Sequence, residues 1–167
     1  WFTLLISLVM VTIMLTWRTG RELVFDNLKA HVVPLSDFLS SLFSSPPHRV
    51  GGTAVFFRAE GDGVPHAMLH NLLHNKVLHD RIIFLTVHAL DIPVVKPDAR
   101  VTVESLGHNC FQVNVFYGFI EERDVPTDLA LCAEFGLQFE VMETSYFIAR
   151  HNVIATPGAG MAMWREH

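Results

Sequence analysis

Seventeen uncharged residues open the chain, WFTLLISLVMVTIMLTW, with Thr3, Ser7, Thr12 and Thr16 as their polar positions. A bilayer core takes about 20 apolar residues of helix, and hydroxyls are satisfied there by carbonyls of their own helix. The run predicts the end of a transmembrane helix, truncated at Trp1, with a buried core helix as the rival reading. It lacks the basic start and small-residue cleavage site of a signal peptide. Trp17 followed by Arg18 and Arg21 has the order of a membrane exit, an aromatic at headgroup level and then cations. Together with Lys29, these cations place the remainder of the chain on the cytoplasmic side.

Beyond Trp17 the pattern changes period several times. TGRELVFDNLKA continues the helix to about Ala30, and VPLSDFLSSLFSS restarts it, with Phe38, Leu39, Leu42 and Phe43 at helical spacing and Asp37 in the first turn. SSPPH, residues 44–48, ends it, because paired prolines cannot continue a helix. VGGTAVFFRAE, residues 50–60, predicts a strand. GDGVP is then a turn that feeds Pro65 into the first turn of a helix running to about His79. RIIFLTVHA, residues 81–89, is a short apolar run and predicts a buried strand. Val50 to Ala89 is thus a β-α-β unit of the kind that pairs its strands in parallel.

RVTVESLG alternates Val101 and Val103 with polar residues, CFQVNVFYGF alternates Phe111, Val113 and Val115, and GHN separates them. This predicts an antiparallel hairpin. DVPTDLALCAEFG, residues 124–136, predicts a helix with Pro126 near its start and Gly136 as its stop. TSYFIARHNVIA predicts a last strand or strand pair, and MAMWREH the opening turns of a further helix. The order β-α-β-β-β-α-β gives an α/β fold, bordering on α+β, with a single mixed sheet of about five strands packed by helices. The expected division is residues 1–17 for the span, 18–48 for a juxtamembrane helical arm and linker, and 49–167 for a cytoplasmic α/β domain.

Composition narrows the function classes. With 167 residues, half of them hydrophobic, the chain can bury one core of ordinary size. A net charge of -5 argues against nucleic acid as a partner. Cys110 and Cys132 form no C-x-x-C pair and read as small buried hydrophobes.

The densest chemistry lies in HAMLHNLLHNKVLHD, residues 66–80. Residues four apart on a helix lie about 40° from each other, so His66, His70 and His74 form one stripe beside Leu69, Leu73 and Val77. Zinc sites use histidine pairs at this spacing, yet HExxH is missing, since Ala67 follows His66 and Asn71 follows His70. The favoured reading is a rim of histidines hydrogen-bonded through Asn71, Asn75 or backbone, with a metal on His66, His70 and His74 as the rival. Lys76 and Arg81 either meet an anion near the helix C-terminus or complement its dipole. Glu143, Tyr146, Arg150 and Arg165 are isolated polar residues without an assignable role. The sequence has no G-x-S-x-G, no Walker motif and no G-x-G-x-x-G after a strand, and GDG and GAG read as turns. No catalytic or cofactor-binding residue is expected, and the chain is not read as an enzyme.

Several segments, taken in order, resemble one family. RVGGTAVFF (49–57), LHNLLHNKVLHD (69–80), IIFLTV (82–87), YGFIE (117–121), METSYFIAR (142–150) and GMAMWRE (160–166) are similar to blocks of the KUP (KUP/HAK/KT) family of bacterial potassium uptake permeases. TWRTGREL (16–23) resembles the end of that family's last membrane helix. The resemblance implies a proton-coupled potassium transporter (potassium and proton as partners, K+/H+ symport) in the bacterial inner membrane. This chain would supply the last span and the cytoplasmic domain, and the ion sites would lie in membrane helices outside it.

His70, Asn71, His74, Asn75, Lys76 and His79 then belong to a family block of unknown role. Gly51 departs from a common proline and Leu73 from a common lysine, and a short apolar tail usual in the family does not follow His167. Two further expectations stay open: a homodimer, and a membrane-tethered sensor for a nucleotide or cyclic dinucleotide, lined by Gly61 to Val64 and the start of the helix.

Overall fold

The computed structural model describes residues 1–30, 33–59, 61, 63–138 and 140–150. The described residues separate into two compact units, one holding the opening helix and the other Val33–Ala149.

The first unit contains helix α1, Phe2–Ala30. Its apolar stretch Phe2–Val24 is long enough to cross a membrane, and none of its most apolar window is buried. Leu4, Leu8, Ile13 and Leu15 all stand exposed in this chain, as the residues of an apolar span do. The threonines cost the helix little in an apolar medium: Thr12, Thr16 and Thr19 donate their hydroxyls to the carbonyls of Leu8, Thr12 and Leu15 at 2.8, 2.7 and 2.9 Å.

The second unit is built on a five-stranded sheet. Its strands are β1 (His48–Arg58), β2 (Val77–Leu90), β3 (Val101–Gly107), β4 (Cys110–Gly118) and β5 (Thr144–Phe147). Their spatial order is β3-β4-β2-β1-β5. β1 pairs in parallel with β2 and β5, β2 in parallel with β4, and β3 alone among these runs antiparallel, on β4. With α3 (His66–Asn75) between β1 and β2 and α4 (Val125–Ala130) between β4 and β5, the element order is the expected β-α-β-β-β-α-β. His108 and Asn109, both at positive φ, make the tight turn of the β3–β4 hairpin at the expected GHN.

Successive strand residues point to opposite faces, and each face has its own core. On one, Ala54, Phe56, Ile82 and Phe84 pack under Leu35 and Leu39 of α2 (Leu35–Ser44) and Met68 of α3. On the other, Val55, Ile83, Leu85, Val113 and Val115 pack under Leu129 of α4 and Cys132. Phe56 stacks on Phe147 with ring centroids 4.7 Å apart, which fastens the short edge strand β5. At Gly52, φ is +101 and a Cβ would lie 2.7 Å from the Glu143 carbonyl oxygen, so the β1 bulge must be glycine for the chain entering β5 to approach.

Several boundaries differ from the sequence expectation. α3 ends at Asn75, so His79 lies on β2, which starts four residues before the expected Arg81. Pro65 caps α3 from outside instead of occupying its first turn. Residues 124–136 form a six-residue helix followed by a 3-10 segment, Leu131–Phe135, because Asp124 caps the start and Gly136 at φ +79 stops the chain within three turns. In TSYFIARHNVIA the strand stops at Phe147, and the residues beyond Arg150, including GAG, Arg165 and MAMWREH, lie outside the described residues.

Phe56 is fully buried and Leu73 is 69% exposed. Phe56→Ala is therefore expected to cost about 3–5 kcal/mol, whereas Leu73→Lys should change stability by less than about 0.5 kcal/mol. Thermal unfolding of the detergent-solubilised chain measures both.

Candidate functional site: the joint between α3 and β2

The histidine-rich block occupies all of α3 and the first residues of β2. Its centre is an asparagine pair. Asn71 is buried, and its Nδ2 donates to the carbonyl of Val77 at 3.1 Å, while its Oδ1 accepts from Asn75 Nδ2 at 2.7 Å. The helix end is thereby stitched to the start of the strand. Between them Lys76 sits in the left-handed region at φ 56, and its N–H returns to the Leu72 carbonyl at 3.2 Å. This is the closing hydrogen bond of a helix C-cap, made by a residue that lacks glycine's freedom.

His66, His70 and His74 all stand exposed on α3, the rings of the last two stacked 5.8 Å apart. His79 points elsewhere: it is half-buried on β2 and meets the Phe147 ring edge-on at 5.8 Å. Its Nδ1 is buried without a hydrogen-bond partner among the described residues. Among those residues, no three His, Cys, Asp or Glu side chains are grouped to hold a metal ion. Arg81 donates to the Gln138 carbonyl at 2.6 Å, tying β2 to the segment before β5. Of the isolated residues, Tyr146 lies on β5 with its ring 6.4 Å from that of Phe57, and Glu143 supplies the carbonyl facing Gly52.

The mouth at the start of α3, expected for a small ligand, is taken by the chain itself. Gly63 forms an antiparallel bridge with Pro34, Val64 donates its N–H to the Val33 carbonyl at 3.1 Å, and Leu35 and Val64 share one core. Asp62 lies outside the described residues. A groove of about 580 Å³ runs along α2 between Ser36, Ser40, Phe43, Leu106, His108 and Gln112. Phe43 stacks on the His108 ring at 4.3 Å, and Arg49 donates to the carbonyls of Asp80 and His108.

Two polar constellations carry no signal in the sequence pattern above. Arg58, Thr86, His88 and Asn114 form a row across β1, β2 and β4, with Arg58 Nε 3.5 Å from Thr86 Oγ1 and His88 Nε2 3.4 Å from Asn114 Oδ1. The available clue is the polar residues at every second position of TVHA and QVNV, which the apolar reading of 81–89 passes over.

The second joins the loops at the carboxyl ends of β2 and β4. Arg100 pairs with Glu121 and Asp128 beneath the Tyr117 ring. Glu121 also accepts the N–H groups of Gly118 at 2.7 Å and Val95 at 3.1 Å. Burial, followed by the nearby Asp128 carboxylate, raises the Tyr117 hydroxyl pKa. Burial likewise pushes the Cys110 and Cys132 thiols up to about 11, so both are neutral and inert near pH 7.

As a set, these contacts fasten elements together. Asn71→Ala is expected to lower stability by about 1–3 kcal/mol by orphaning the Val77 carbonyl, while Lys76→Gly should raise it by roughly 0.5–1 kcal/mol by relieving the left-handed residue. Chemical denaturation of the solubilised chain reads both.

The N–H donated by Gly118, then that of Val95 and the Arg100 charge, hold the Glu121 pKa below the ordinary carboxylate value. Its stabilisation is complete above the unfolded pKa and is lost as pH falls through the depressed folded one. Exchange of the Val95 and Gly118 amides, corrected for intrinsic rate, should therefore accelerate on acidification in the native chain and lose that dependence in Glu121→Gln.

Residues 51–167 match the family described as K+ potassium transporter C-terminal domain. Among curated proteins, the chain is 60% identical over its full length to the probable potassium transport system protein Kup of Herminiimonas arsenicoxydans, covering 27% of that protein. It is 58% identical over its full length to the protein of the same name from Janthinobacterium sp. (strain Marseille), again covering 27%. With the Nitrosospira multiformis protein the identity is 49% over 99% of this chain and 26% of the relative. The chain thus spans about a quarter of the length of these relatives. No solved structure matches. The match over 51–167 and the identities along the whole chain lead to one assignment: the chain belongs to the Kup family of potassium transport proteins and contains their C-terminal domain.

Proposed function

We propose that this chain is the C-terminal part of a proton-coupled potassium uptake transporter, with a membrane span at its start and a cytoplasmic body that braces or regulates the membrane part. The observation that carries the reading is the family match, joined to an apolar and exposed helix that precedes that domain in the sequence. In this reading residues 1–17 lie in the inner membrane and residues 18–48 form the arm. Residues from 49 onward form the body, on which α2 of the arm packs through Leu35 and Leu39. Arg18 and Arg21 after the apolar run favour a cytoplasmic body.

Potassium and protons pass through parts of the polypeptide outside this chain, and the His70 to His79 block serves the joint instead of ion binding or catalysis. A homodimer is compatible with this role. The nucleotide-sensor alternative is weakened by the commitment of the Val64 N–H to Val33.

Rubidium uptake tests the proposal in cells lacking their own potassium uptake systems, comparing the full parent gene with a version stopped after Arg21. The parent should restore uptake, and the shortened form should reach the membrane yet transport slowly or without pH response. Full activity of the shortened form removes the role of the body. Absence of uptake by both, with both in the membrane, removes the transport reading itself.

A further inference from the structure

The parallel ribbon of β2 and β4 outruns the rest of the sheet. β1 makes its last pair with β2 at Arg58 and Thr86, whereas β2 and β4 stay paired as far as Leu90 and Gly118. At about 3.3 Å per residue, the step from Thr86 to Leu90 makes a prong of roughly 13 Å beyond the end of β1.

Its tip is apolar: Ile92, Val94, Phe119 and Ile120 are 45%, 60%, 66% and 69% exposed. The two loops that bear them are locked together, Phe119 N–H donating to the Ile92 carbonyl at 3.0 Å and Ile120 N–H to that of Pro93 at 3.3 Å. A Cβ on Gly118 would lie 2.2 Å from the Pro93 carbonyl oxygen, so the loops approach as closely as glycine permits. Glu121 and Arg100 tie the same loops from beneath. Exposed apolar side chains on a backbone held this firmly have the character of a preformed contact surface.

Two observations bear on what the tip meets. The segment leading from α1 enters this unit at Val33 and Pro34, which are bonded to Val64 and Gly63 in the loop leaving the carboxyl end of β1. The prong rises from that same end of the sheet. The rim is acidic as well: Asp91, Asp98, Glu122 and Asp124 are exposed beside two exposed cations, Lys96 and Arg123. An acidic rim opposes an anionic leaflet and complements the lysine- and arginine-rich loops that face the cytoplasm between membrane spans.

We infer that the tip formed by Ile92, Val94, Phe119 and Ile120 docks on the basic cytoplasmic loops of the membrane part of the same polypeptide. The inference rests on the cytoplasmic transporter reading above. It gives the body a defined contact through which changes in the membrane part are felt or restrained.

The test uses the full-length parent in native membranes, with benzoylphenylalanine replacing Phe119 and, separately, Ile120, and Met142, 96% exposed on another segment, as the control position. Irradiation should give an adduct at monomer mass, mapping to loops between membrane spans, from the first two positions and none from Met142. Asp91→Lys combined with Glu122→Lys should lower its yield several-fold. A lipid adduct, an adduct at dimer mass, no adduct at either tip position, or a yield indifferent to the charge reversal overturns the inference. Failure of the underlying reading shows separately, as absent rubidium uptake or as labelling of Met142→Cys from outside intact cells by an impermeant maleimide.

Discussion

Five consecutive residues of β2, Ile82 to Thr86, are buried, and because strand side chains alternate, they demand cover on both faces of the sheet at once. The rest of the unit meets that demand. α2 and α3 close one face over Ile82 and Phe84, while α4 and the turn after it close the other over Ile83 and Leu85. Parallel neighbours on each side, β1 and β4, satisfy the backbone of the same strand. The element order follows from geometry, since each parallel pairing needs a connection long enough to return across a face.

Around this strand the chemistry of HNLLHNKVLH becomes mechanical. α3 packs through Met68, and the Asn75–Asn71–Val77 chain of hydrogen bonds ties its end to the start of β2 across a single loop residue. Lys76 accepts a left-handed backbone there, a conformation costing an ordinary residue about 1–2 kcal/mol, so the joint is short at some cost in strain. His70 and His74 remain at the surface of α3 and His79 turns toward the β5 edge from β2, which separates it from the helical stripe.

The opposite end of the sheet is organised by charge. Arg100, Glu121 and Asp128 lie beneath the loops that follow β2 and β4: Arg100 offsets both carboxylates and donates to the Val95 carbonyl, and Glu121 also accepts two backbone N–H groups, the condition under which poorly exposed ions are tolerated. A rigid base of this kind lets short loops hold apolar side chains outward. The unit thus has a hydrogen-bonded joint at one end of the sheet and a charge-braced apolar tip at the other.

Periodicity by itself determined the element order, the hairpin turn at GHN, the apolar opening helix and the alternation of faces, because each is set by neighbours close in the chain. The resemblance of the whole sequence carried the family. Tertiary structure decided where α3 stops, since Asn71 ends it by reaching a carbonyl that exists only once β2 is in place. It placed β5 beyond β1, where ring stacking with Phe56 holds a strand of four residues. It also gathered Arg58, Thr86, His88 and Asn114 into one row, and Arg100 with Glu121 and Asp128 into one network. Those residues lie up to tens of positions apart in sequence; the pairing of β1, β2 and β4 makes the first set neighbours, and the approach of the start of β3 to β4 brings Arg100 to the second.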